Sequence, residues 1–149
     1  MNTTAGNVHP GPSPRAGGMR TVLGLLMATN MILFVFGAIQ HTGLHIGRFH
    51  EPVIVPAAIV ESVCALSLLW GLWAVFRGST AFWRIVTSNL IALAGVLLGM
   101  IALAAGRGPR TVSNDNLHRA MLTLIGLSLI ALFVARSFAS FGKSEGLKV

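Results

Sequence analysis

Three stretches of this sequence, residues 21–40, 53–76 and 85–106, run for 20 residues or more with Glu61 as their only charge. A fourth, 117–136, is apolar between Arg119 and Arg136. An α-helix rises about 1.5 Å per residue, so roughly 20 apolar residues cross a hydrocarbon core about 30 Å thick. Backbone polar groups in that medium must be satisfied within a helix or a closed barrel. Barrel strands would be shorter and would alternate apolar with polar residues. The pattern therefore predicts an all-α integral membrane four-helix bundle with short loops. Arg136, at the end of the shortest run, is placed to snorkel to the interface. Only 10% of the 149 residues are charged, against about a quarter in soluble domains.

Charge sets the expected orientation. The flanks carrying Arg15, Arg20, Arg77, Arg84, Arg136, Lys143 and Lys148 outweigh those carrying Arg48, Arg107, Arg110 and Arg119. The richer side is expected in the cytoplasm, which puts both termini inside a cytoplasmic membrane. Trp70, Trp73 and Trp83 fall at the same inner ends, as an aromatic belt would. The net charge of +7 then reports topology and lipid headgroups, and nucleic acid is not an expected partner. Residues 1–19, rich in Pro and Gly, read as a flexible cytoplasmic tail, and 141–149 as a short C-terminal tail. The first apolar run is longer than the core of a cleaved signal peptide, so it is expected to remain as a helix.

Gly95, Gly99, Ala102 and Gly106 recur every three or four residues in the third run. Such a face lets backbones approach closely, and Gly95 and Gly99 are the predicted packing positions, within the chain or in a homo-oligomer. Gly106 followed by Pro109 is a helix stop. Ser113, Asn114 and Asp115 are candidate N-caps for the fourth helix.

Most polar side chains that carry chemistry map to the outer side. His41 and His45 share a face if the first helix continues past Gln40, and Glu51, His50 or His118 would complete a metal-ligand set. Haem is an alternative cofactor, with a histidine from the first helix opposite His118; Cys64 is the single cysteine, so covalent c-type attachment is excluded. Arg48, Arg107, Arg110 and Arg119 form a basic ring suited to an anion, or to pairing of Arg48 with Glu51 and Arg119 with Asp115. Glu61 lies inside the second span, where an acid costs about 2.5–3.5 kcal/mol at the helix centre and should face the bundle interior. His45, Arg119 and His118 are its candidate partners, with Asn89 and Ser67 as neutral ones; a cofactor site would combine His45, His118 and Glu61.

Two functions follow from these readings. One is a non-enzymatic accessory, assembly or scaffold component of the cytoplasmic membrane, packed on lipid and on other membrane subunits or copies of itself. The other is an outer-face protein binding metal, haem, or an anionic or quinone-like ligand through the His, Glu and Arg cluster, with redox activity as one form of that function.

Overall fold

In the computed structural model the apolar runs become four helices: α1 Pro14–Gln40, α2 Val55–Arg77, α3 Phe82–Ala104 and α4 Val112–Glu145. The structure describes residues 14–44, 52–77, 82–108 and 110–145, with side chains described between 17 and 137. All four helices contain a span long and apolar enough to cross a membrane, which makes this an all-α, multi-pass membrane protein. Each helix packs on two neighbours: α1 on α2 and α4, and α3 on α2 and α4. The ring that results sets α1 diagonally across from α3.

Helix ends differ from the apolar runs in ways that have local causes. α1 starts at Pro14, so residues 14–19, expected in the flexible tail, belong to the helix. Proline suits a first helical turn because its missing N–H has no intrahelical partner there. The rest of the expected tail, 1–13, lies outside the described residues. At its other end α1 stops at Gln40, and Gly43 takes φ +85° in the turn beyond. α3 closes as expected at Gly106, φ +71°. There the Arg107 N–H bonds the Ala102 carbonyl and the Gly106 N–H bonds that of Leu103, the two bonds of a Schellman motif.

The cap of α4 is a correction. Thr111, not Ser113, Asn114 or Asp115, occupies the position, its Oγ1 accepting from the Asn114 N–H at 3.1 Å. Asp115 sits in the first turn, where a carboxylate complements the helix dipole.

Antiparallel neighbours sort the charged residues. At one end Arg20 donates through Nη2 to the Val75 and Phe76 carbonyls at 2.7 and 3.1 Å, closing the last turn of α2. Arg77, Arg84 and Arg136 lie over the rings of Trp73, Trp70 and Phe82 at this same end. Arg107, Arg110, Arg119, His41 and His118 belong to the opposite end.

Between the ends, Leu23, Met27, Phe34, Leu68, Val96, Met121 and Ile125 form the core. Leu25, Ile32, Leu66, Phe76, Ile101 and Ile130 point outward, as side chains facing lipid would. Lipid supplies no hydrophobic drive for helices to associate, so close packing must. A Cβ on Gly95 would collide with the Cys64 sulfur, and one on Gly71 with Ser88. At those points the glycine backbone of one helix packs directly on a side chain of the other, and α2 and α3 come close.

Candidate functional site

The polar groups at the histidine end converge on one cavity of about 310 Å³, to which all four helices or their ends contribute. Its walls are mainly apolar, with Ile54, Val60, Leu98 and Leu103 among them, and its polar lining is His41, Glu61, Arg107, Asn114 and His118. Ligand pockets have this character, a largely apolar surface with a few convergent polar groups, and volumes from about 300 Å³ upward. The size suits a small ligand better than a macrocycle such as haem.

Glu61 sits six residues into α2, about 9 Å along the axis, and is buried as expected. Its ion-pair partner is His41, whose Nε2 lies 3.7 Å from Oε1; of the partners anticipated, His118 lines the same cavity, Arg119 lies outside its lining, and His45 lies outside the described residues. Neither neutral alternative holds it: Ser67 donates to the Cys64 and Ser88 carbonyls, and Asn89 to that of Ile85. The other carboxyl oxygen, Oε2, has no hydrogen-bond partner among the described residues. Gly37 makes the room for this carboxyl. A Cβ there would lie 2.8 Å from both Glu61 oxygens.

His41 reaches Glu61 because of a backbone bond. Its carbonyl accepts from the Ile54 N–H at 3.0 Å, tying the turn after α1 to the start of α2. α1 ends at Gln40, so the helical continuation on which the His41 and His45 spacing depended is absent at residues 41–44. His45, Arg48, His50 and Glu51 lie outside the described residues. Among the described residues no group of three or more His, Cys, Asp or Glu side chains is arranged to hold a metal ion.

His118 enters from α4. Its Nδ1–H donates to the Asn114 carbonyl one turn earlier, at 2.9 Å. A carbonyl can only accept, so in the neutral ring the lone pair resides on Nε2. That nitrogen points at Gly99, whose missing side chain leaves space for it; a Cβ would lie 2.8 Å away.

Of the arginines expected to clamp an anion, Arg107 lines the cavity. Arg110 instead bonds Asp115, from Nε to both carboxylate oxygens at 2.9 and 3.2 Å. Asp115 is thus paired with Arg110 and not with Arg119, which is exposed and outside the lining. Sequence spacing left His41 among the metal ligands and missed its pairing with Glu61. The one available signal was the pair of glycines, Gly37 and Gly43, that bracket it.

No family model, curated protein or solved structure matches this chain. The chemistry of the cavity therefore carries the functional argument alone.

Proposed function

We propose that this chain is a non-enzymatic component of the cytoplasmic membrane, with both termini inside, that holds a small amphiphilic ligand in the outer cavity. The observation that carries the reading is the Glu61 carboxyl, buried in a membrane span with one oxygen facing His41 and the other without a hydrogen-bond partner among the described residues. Polar groups so costly at this depth are retained where they bind or transfer something. The ligand's polar head meets Glu61, His41 and the His118 Nε2, and its apolar body lies against Val60, Leu98 and Leu103. Arg107 at the rim favours a head with an acceptor oxygen, such as a carbonyl, hydroxyl or acidic group. Among the described residues the lining holds no Ser, Thr, Cys or Lys, which favours binding over covalent catalysis by a hydroxyl, thiol or amine.

The test is solvent extraction and mass spectrometry of protein purified in mild detergent without chelators or a histidine tag. Fe, Cu, Zn and Mn per chain are measured on the same samples. The expected result is one class of amphiphile near one per chain in wild type, lost in Glu61→Gln, with metal well below stoichiometric in both. An amphiphile equally retained by Glu61→Gln would overturn the assignment of Glu61. Metal near one per chain would replace the reading with a metal centre.

A further inference from the structure

A second polar layer lies deeper in the bundle. Ser128 and Asn89 are ten residues inward of His118 and Gly99, and Asn30 is eleven inward of His41. At about 1.5 Å per residue, all three sit about 15 Å below the level of His41, Gly99 and His118. Inter-helix contacts fix the same level independently. Met27 of α1 and Ser88 of α3 both abut Gly71 of α2, and Phe133 of α4 meets Phe82 of α3 edge to face at 5.8 Å between centroids. Counting outward from those contacts brings Asn30, Asn89 and Ser128 within about one turn of one another along the axis. Each is 0% exposed, so three of the four helices direct a polar side chain into the interior at one depth.

Hydrogen bonding within the protein leaves this layer incomplete. Asn89 donates its Nδ2 to the Ile85 carbonyl at 2.9 Å. Its Oδ1, both amide atoms of Asn30 and the Ser128 hydroxyl have no partner among the described residues. A dry polar group of this kind costs about 1–3 kcal/mol, and lipid offers no remedy from outside. The unpaired set mixes types: two amide oxygens that accept, one amide nitrogen that donates, and a hydroxyl that does both. A cation would meet the Asn30 amide hydrogens with no counter-charge at this depth, and an anion would meet the two amide oxygens. Water alone both donates and accepts, and buried waters typically make about three such bonds.

We propose that the bundle interior binds water at mid-membrane, held by Asn30, Asn89 and Ser128, in a closed site. Closure follows from the packing on either side. Toward the cavity, Phe34, Cys64, Val96, Met121 and Ile125 are each 1% exposed; toward the other end, Leu23, Met27, Ile85 and Leu132 are buried. The site is separate from the outer cavity and does not depend on what that cavity binds.

The experiment uses the full chain in lipid nanodiscs and water itself as probe, reading magnetisation transfer from water to the side-chain amides by NMR. Wild type is expected to give water cross-peaks at both Asn30 and Asn89. In Asn30→Leu, which fills the site, the Asn89 peak should fall to background. If that variant does not fold, Asn30→Ser, which keeps a hydroxyl, should retain the peak. Wild-type amides coupled directly to each other with no water transfer would overturn the proposal, as would an Asn89 peak unchanged in Asn30→Leu. Stopped-flow osmotic swelling of proteoliposomes should match protein-free vesicles; a severalfold faster rate would show an open pore and overturn the closed site.

Discussion

Gly37 and Glu61 divide one volume between them, and that arrangement makes the site testable by a single methyl group. The three nearest atoms to a Cβ at Gly37 all belong to the Glu61 carboxyl. Gly37→Ala is therefore expected to destabilise the bundle by about 1–3 kcal/mol, the usual cost of overpacking, seen as a lower unfolding midpoint in detergent. In a Glu61→Ala background the same change should cost less than half as much, because the atoms it collides with are gone; a double-mutant cycle measures that coupling. Gly126, inside α4, has nothing within 4 Å of its Cβ position. Gly126→Ala should then be neutral or stabilise by up to about 1 kcal/mol, from helix propensity alone. Equal losses at the two glycines would mean that helix thinning in general matters, and not the carboxyl at Gly37. Part of this was legible in the sequence: an acid inside an apolar run is too costly to face lipid, so Glu61 had to be buried. Its partner was not. The candidates were His45, Arg119 and His118, whereas His41 is delivered by a turn whose geometry rests on Gly43 and on the Ile54 to His41 backbone bond.

At the scale of the element, the four helices follow from hydropathy, and their ends follow from local chemistry that hydropathy does not encode. The stop of α3 was readable because Gly106 combines with Pro109, a pairing with few other uses. The start of α4 was not, because Thr111, Ser113, Asn114 and Asp115 all have the side chains of a cap, and only the position of the first turn chooses among them. Thr111 Oγ1 takes the Asn114 N–H. Asn114 in turn supplies the carbonyl that fixes the His118 ring, so the cap and the cavity share a residue. Thr111→Ala is expected to cost about 1 kcal/mol, and Thr111→Ser far less. Hydrogen exchange of the first-turn amides checks it: protection should fall at Asn114 in the alanine variant while mid-helix amides of α4 stay unchanged. The buried layer of Asn30, Asn89 and Ser128 was hidden for a related reason. Each is an uncharged polar residue in a long apolar run, Asn30 beside Thr29 and Asn89 beside Thr87 and Ser88, and their common depth emerges only when the antiparallel register of α1, α3 and α4 is known.

The whole molecule is polarised along the bundle axis. One end carries arginines over aromatic rings, and the other carries the cavity with His41, Glu61 and His118. Arg20, Arg77, Arg84 and Arg136 share the first end, and with Arg15, Lys143 and Lys148 counted on the same flanks in the sequence they make the basic excess on which the proposed cytoplasmic side rests. Thr42 and Ser137 are exposed at opposite ends, and Cys64, the one native thiol, is buried. These positions allow a direct measurement. In a Cys64→Ala background, Thr42→Cys should react with a membrane-impermeant maleimide added to intact cells, and Ser137→Cys only after permeabilisation. The reverse pattern would turn the cavity toward the cytoplasm, and the ligand would then be drawn from the inner leaflet. Labelling of both sites in intact cells would mean two orientations in the membrane, a result the charge bias between the ends argues against. The outcome matters for the binding reading because a cavity open to the outer face is filled from a different pool of amphiphiles than one open to the cell interior, and the extraction experiment must sample the matching leaflet.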